Sequence, residues 1–142
     1  MPELDRGTRI YAYVLSGLGA IALIWWAASY DPRVAQLNEL LAKDPLVASY
    51  PYPFRVESLH QGVAEVSAPR SPQVSILRFL AVIRPELGHK DPDDPEVIAA
   101  QKAMARVQKH LRKRLLAQPD VKRVRWVFDR DWYARHGITI QP

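Results

Sequence analysis

The chain has 142 residues, a formal net charge of +5 at pH 7 and no cysteine. That length allows one domain with a modest core, and the missing cysteine excludes disulfide staples, thiolate zinc sites and cysteine nucleophiles while suiting an oxidising envelope compartment. The positive balance favours acidic partners such as lipid headgroups, nucleic acid or anionic envelope polymers, without choosing among them.

Residues 1–9 read as a short N-terminal tail. Between Arg9 and Asp31 there is no charged residue, and at about 1.5 Å per residue the segment 10–30 reaches across the roughly 30 Å hydrocarbon layer. Tyr11 and Tyr13 at one end, with Trp25, Trp26 and Tyr30 at the other, stand where amphipathic rings prefer the two interfaces. The sequence therefore predicts a transmembrane helix over residues 10–30. A cleaved signal peptide is the competing reading, because Arg6 and Arg9 precede the apolar stretch and Ala27, Ala28 and Ser29 suit a cleavage site. The length of the stretch and the bulky Trp25 and Trp26 favour retention as a signal anchor.

For orientation, Arg6 and Arg9 balance Arg33 and Lys43. The basic pair lies in a short tail beside a free amine, and long downstream domains translocate largely regardless of charge. The expectation is a single-pass inner-membrane protein with its N-terminus cytoplasmic and its C-terminal domain periplasmic or otherwise extracytoplasmic. Ala12, Ser16 and Ala20 recur every four residues near Gly17 and Gly19, a stripe that would let two spans pack closely as a homodimer. Small residues scattered over a lipid-facing helix are the alternative.

Residues 31–142 read as a small basic α+β domain. Asp31-Pro32, Ser71-Pro72 and Asp94-Pro95 each place a capping side chain before a proline that needs no donor, so each predicts a helix start. Over residues 32–43, Val34, Leu37, Leu40 and Leu41 share a face, predicting a helix that continues from the membrane exit. Asp44-Pro45 ends it or adds one more turn. Residues 50–53 alternate aromatic and proline and read as extended. Segments 54–59 and 63–68 then predict a β-hairpin turning at His60, Gln61 and Gly62. Its buried face would carry Phe54, Val56, Ala64 and Val66, with Arg55, Glu57 and Glu65 outside.

Val74, Ile76, Leu77, Phe79, Leu80, Val82 and Ile83 leave almost no polar face, so a buried helix is expected after Ser71-Pro72, ended by Pro85, with a polar loop over 88–94. The helix over residues 95–117 is the clearest element. Val97, Ala100, Met104, Val107, Leu111 and Leu115 form one stripe, and Lys102, Arg106, Lys109 and Lys113 lie nearly opposite. Beyond Pro119, residues 121–128 alternate as a third strand with Val124, Trp126 and Phe128 on one side. Asp129 or Asp131 would cap a short last helix ended by Gly137.

The expected architecture is thus α+β, with a hairpin and one further strand forming a three-stranded sheet packed by helices. Leu40 to Pro45 before the hairpin, Gly62 in its turn, and Pro119, Asp120, Val121, Lys122, Arg123 and Val124 before the last strand carry a resemblance. In element order over residues 32–128, the chain resembles BON-type domains of bacterial envelopes, with residues 71–94 as an insertion in that compact pattern. The resemblance implies an envelope or phospholipid-binding module rather than an enzyme.

The chain lacks the patterns G-x-x-x-x-G-K, G-x-G-x-x-G, G-x-S-x-G and H-E-x-x-H. His60, His89, His110 and His136 fall on separate elements and read as turn, loop or helix-surface residues. His89, Asp91, Asp93 and Asp94 gather hard ligands in one loop without calcium-loop spacing, so Asp94 reads as a helix cap. Asp129, Asp131 and His136 would suit an acid and base near Trp132 and Tyr133, but a cap with aromatic core anchors is the simpler reading. No catalytic, cofactor or metal site is expected.

The strongest functional feature is the run of Lys102, Arg106, Lys109, Arg112, Lys113, Arg114, Lys122, Arg123 and Arg125 against Asp120 alone. A solvated helix face accounts for part of it, and the excess predicts a surface for phosphates or carboxylates, with Arg123 and Arg125 extending the helical patch. The sequence therefore predicts a membrane-anchored, non-catalytic accessory module whose partners are membrane lipid, an anionic envelope polymer or a membrane protein complex. A cytoplasm-facing domain holding nucleic acid or anionic lipid is the rival; the absence of a recognisable nucleic-acid motif weighs against it. A small hydrolase is the weakest alternative.

Overall fold

A computed structural model describes residues 5–140, in two compact units, Met1–Pro32 and Arg33–Pro142. The start of the expected tail, residues 1–4, lies outside the described residues.

The first unit is one helix, α1 (Arg6–Ser29), capped by the Asp5 carboxylate, which accepts from the Arg6 N–H at 2.8 Å. It begins before the charge-free stretch and takes in Arg6 and Arg9, because backbone hydrogen bonding does not stop where apolar side chains do. Its 24 residues make about 36 Å at 1.5 Å each, more than the roughly 30 Å of a hydrocarbon core. No α1 residue is buried, so the helix is an N-terminal candidate membrane span or signal sequence. At Tyr30 the backbone is extended (φ −81°, ψ 120°) and α2 (Pro32–Ala42) starts afresh. The helix expected to run on from the span is thus a separate one, since proline disfavours helical backbone in the residue before it.

In the second unit α2 is followed by α3 (Pro45–Ala48), with Asp44 as its cap. Strands β1 (Val56–His60) and β2 (Val63–Ala68) pair antiparallel across Gln61 (φ 50°) and Gly62 (φ 79°). Two successive positive φ values match the right-handed twist of the strands and fix this tight hairpin. A register shift between Val56 and Ser58 makes a bulge at Glu57. As expected, Phe54, Val56, Ala64 and Val66 are all buried.

Helix α4 (Ile76–Ile83) starts later than Ser71-Pro72 indicates. The Ser71 hydroxyl is taken by the Gln73 N–H at 3.1 Å in a turn closed by a Ser71–Val74 bridge, and Ser75 caps the helix through the Arg78 N–H. Ile76, Phe79 and Leu80 are buried, whereas Leu77, Val82 and Ile83 are half-buried, so the helix is covered on one side only. A single 3-10 turn, Pro85–Leu87, then leads to α5 (Pro95–Leu116), capped by Asp94.

Strand β3 (Arg123–Phe128) completes a three-stranded sheet ordered β1-β2-β3 and runs parallel to β2, pairing Ala64 with Val124, Val66 with Trp126 and Ala68 with Phe128. A parallel neighbour needs a crossover, which the stretch from α4 to α5 supplies. Asp129 caps the last helix, α6 (Arg130–Arg135), through the Trp132 N–H, and Trp132 and Tyr133 are buried.

The core is one cluster in which the α5 residues Val97, Ala100, Met104, Val107, Leu111 and Leu115 meet the inner sheet face and the rings of Tyr52, Phe79, Trp132 and Tyr133. Tyr52 stands edge-on to Phe54 at 4.9 Å and to Trp132 at 5.2 Å, arrangements that suit aromatic quadrupoles. The outer edge of β1 is closed at Val56, whose N–H donates to Asn38 Oδ1 at 2.7 Å and whose carbonyl accepts from Asn38 Nδ2 at 3.0 Å. Replacing Asn38 by leucine keeps the volume but strands both backbone groups, and is expected to cost about 2 kcal/mol of domain stability in urea titration of the detergent-solubilised chain.

Candidate functional site

Helix α5 is built with two faces. Its apolar stripe is buried in the core, and Lys102, Arg106, Lys109 and Lys113 are all exposed. At about 1.5 Å per residue the four cations span roughly 17 Å along the helix, with Arg112 exposed beside them. None has a carboxylate within ion-pair distance among the described residues. Ile98 and Leu116, both more than a third exposed, bracket this face at its two ends.

The other basic residues of the run are distributed differently. Arg114 turns to the Asp44 carboxylate, its Nε lying 3.2 Å from Oδ2. Asp120 accepts a two-pronged contact from Arg33, from Nε and from the second guanidinium nitrogen, both at 2.7 Å. The Asp120 carboxyl is held below its ordinary range by that hydrogen bond, and the Arg33 guanidinium is correspondingly raised.

Arg123 and Arg125 do not extend the helical patch. Val124, Trp126 and Phe128 pack towards the core with α5, so strand alternation sends Arg123 and Arg125 out of the opposite sheet face. There Arg125 pairs with Glu65, its neighbour in register on β2. The basic run is therefore divided between two surfaces, and the α5 surface carries the longer row of cations left without acids among the described residues.

Asp44 is the feature that sequence reasoning missed. Its side chain is only 7% exposed, and one oxygen lies 2.7 Å from His110 Nε2 and 3.2 Å from Arg114 Nε, while the other accepts the Leu46 and Val47 N–H groups as the cap of α3. It thereby pins the α2–α3 corner to the C-terminal half of α5. Burial pushes its carboxyl up, but the His110 hydrogen bond and the Val47 and Leu46 N–H groups together outweigh burial, so the net direction is down. His110 is accordingly a fixed partner rather than a plain helix-surface residue.

The remaining candidates are spent separately. Asp129 accepts from the Tyr52 hydroxyl at 2.8 Å and the Trp132 N–H at 3.0 Å, whereas His136 Nδ1 lies 2.7 Å from the Trp132 carbonyl and its ring packs on Trp132. Asp129 and His136 therefore do not converge as an acid and base. Burial pushes the Tyr133 hydroxyl up to about 12 and raises that of Tyr52 further; Tyr133 donates to the Pro69 carbonyl. In the loop after α4, Asp94 caps α5 and Lys90 lies 3.9 Å from it, and no group of acids and histidines with metal-binding geometry occurs among the described residues. In α1, Ala12, Ser16 and Ala20 lie along one exposed stripe at i, i+4 spacing.

No family of known proteins, no curated protein and no solved structure matches this chain.

The depressed carboxyl of Asp44 has a definite pH signature. Its folded value lies below the unfolded one, so the stability it adds is present above about pH 3.9 and is lost as pH falls through the folded value. Asp44→Asn keeps the cap acceptor but removes the charge, and is expected to cost about 1 kcal/mol at pH 7. The difference from the parent chain should shrink steadily below about pH 4 in urea titrations; a loss independent of pH would contradict the charge assignment.

Proposed function

We propose that this protein is a membrane-anchored, non-catalytic binding module that uses the outward face of α5 to hold an anionic surface. In this reading α1 is retained as a single-pass anchor in the inner membrane, with the N-terminus cytoplasmic and the domain on the other side. The ligand chemistry is phosphate, or carboxylate, repeated along a surface, as in anionic lipid headgroups or an anionic envelope polymer.

The observation that carries the reading is the row Lys102, Arg106, Lys109 and Lys113, exposed and without carboxylate partners among the described residues, on a helix whose other side is fixed in the core. A rigid helix presents these charges in a constant array, so binding does not first have to order them. Basic residues close to an anionic bilayer contribute about 1 kcal/mol each, and the contribution falls within a Debye length. Ile98 and Leu116 beside the row suit a surface with an apolar layer beneath its charges, which favours lipid over a soluble polymer. The reading as a BON-type envelope domain belongs to the same proposal, supported by the order helix, hairpin, helix and strand. α4 lies within the insertion.

The test uses the full chain in nanodiscs of neutral lipid, mixed either with vesicles rich in phosphatidylglycerol or with soluble polyphosphate. Binding to the vesicles is expected to weaken about tenfold or more when Lys102, Arg106, Lys109 and Lys113 are changed to glutamine, and to weaken similarly as salt is raised from 0.05 to 0.5 M. Polyphosphate binding without vesicle binding would assign the face to a polymer. Unchanged binding in the variant would remove α5 from the function.

A further inference from the structure

Strand β3 lies at an edge of the sheet. On its inner side the N–H groups of Arg123 and Asp129 donate to the Gly62 and Ala68 carbonyls. Alternation along the strand then places the N–H and C=O groups of Val124, Trp126 and Phe128 on the outer side. No hydrogen bond among the described residues reaches them. The opposite edge is treated differently, since Asn38 closes β1 at Val56. An open edge of this kind is a template for another strand.

We propose that β3 pairs antiparallel with β3 of a second copy of this chain, about a two-fold axis at Trp126, so that the two sheets join into one. The sequence of the edge selects both the partner and the register. An axis at Trp126 sets Val124 against Phe128 and Trp126 against Trp126, engaging every outward backbone group of the strand. On the outer face it sets Arg125 against Val127, and it brings Arg123 opposite Asp129 of the second copy, which lies just past the strand as the cap of α6, an opposite-charge pair. Arg123 has no carboxylate partner among the described residues. The Asp129 oxygens, though bonded to Tyr52 and Trp132, retain lone pairs for a guanidinium.

The neighbouring registers are worse for stated reasons. An axis at Arg125 brings two Arg125 side chains directly opposite each other, at a Cα separation of about 4.5 Å, and like charges so placed repel. It also leaves Phe128 without its mate. An axis at Val127 sets Val124 against Arg130, which already belongs to α6. Chains that are tethered to one membrane meet more often than free ones, so a short strand pairing is enough to join them. This contact is separate from any packing through Ala12, Ser16 and Ala20.

The natural chain has no cysteine, so introduced thiols report the register without interference. Residues 125 and 127 form a non-hydrogen-bonded pair in the proposed dimer, at about 4.5 Å between Cα atoms and within disulfide range. Full-length Arg125→Cys and Val127→Cys chains, co-reconstituted into the same liposomes under mild oxidation, are expected to give a covalent heterodimer on non-reducing gels, while each variant alone stays monomeric. Adding Val124→Pro removes an outward N–H without touching the β2–β3 ladder, since edge strands tolerate proline there. It is expected to abolish cross-linking while tryptophan fluorescence stays native. No covalent dimer from the mixture, dimers from Arg125→Cys alone, or cross-linking that survives Val124→Pro would each overturn the proposal.

Discussion

The burial of one stripe of α5 governs the rest of the domain. Val97, Ala100, Met104, Val107, Leu111 and Leu115 must all leave water together, and the inner face of the sheet is where they go. At about 25 cal/mol per Å² of apolar surface, this contact outweighs any single polar interaction in the domain. Because those side chains share one face of α5, the cations opposite them face solvent. The same stripe draws the chain back across the sheet, so the strand that follows runs parallel to β2 and takes an edge.

The polar contacts then hold that arrangement in place rather than create it. Asp44 ties the α2–α3 corner to His110 and Arg114, and Arg33 ties the start of α2 to Asp120 beyond α5. Both join the N-terminal helices of the domain to the α5 region from opposite ends. The Asp44 carboxylate is buried although its partners His110 and Arg114 are partly exposed, so salt screens it less than the Arg33–Asp120 pair, in which both side chains are partly exposed. Asn38 serves a different end, closing the β1 edge at Val56.

Periodicity made most of this legible from residues alone. The α5 stripe, the alternation of Val124, Trp126 and Phe128, and Gly62 in the hairpin turn each state a local geometry, and local geometry is what spacing records. A helix lying between two strands already allowed a parallel crossover, although the strand order could not be read from it. The Asp44–His110 contact joins residues 66 apart in sequence, and no local pattern encodes it. Ser71-Pro72 carries the capping signal, but a turn consumes the Ser71 hydroxyl and leaves Ser75 to cap α4, an outcome no local spacing states. The basic run looked continuous because local spacing does not record that α5 packs on the Val124, Trp126 and Phe128 side of the sheet, which leaves Arg123 and Arg125 on the far side.

A rigid row of cations on a membrane-tethered domain is the central claim, and the reactivity of individual lysines tests it most directly. The full chain in neutral nanodiscs would be acylated with an amine reagent, with and without phosphatidylglycerol vesicles, and the modified lysines quantified by mass spectrometry. Lys102, Lys109 and Lys113 are predicted to be protected by the vesicles, while Lys43 and Lys90, away from that face, keep their reactivity. Equal reactivity of these five lysines with and without vesicles, or protection confined to Lys43 and Lys90, would contradict the account.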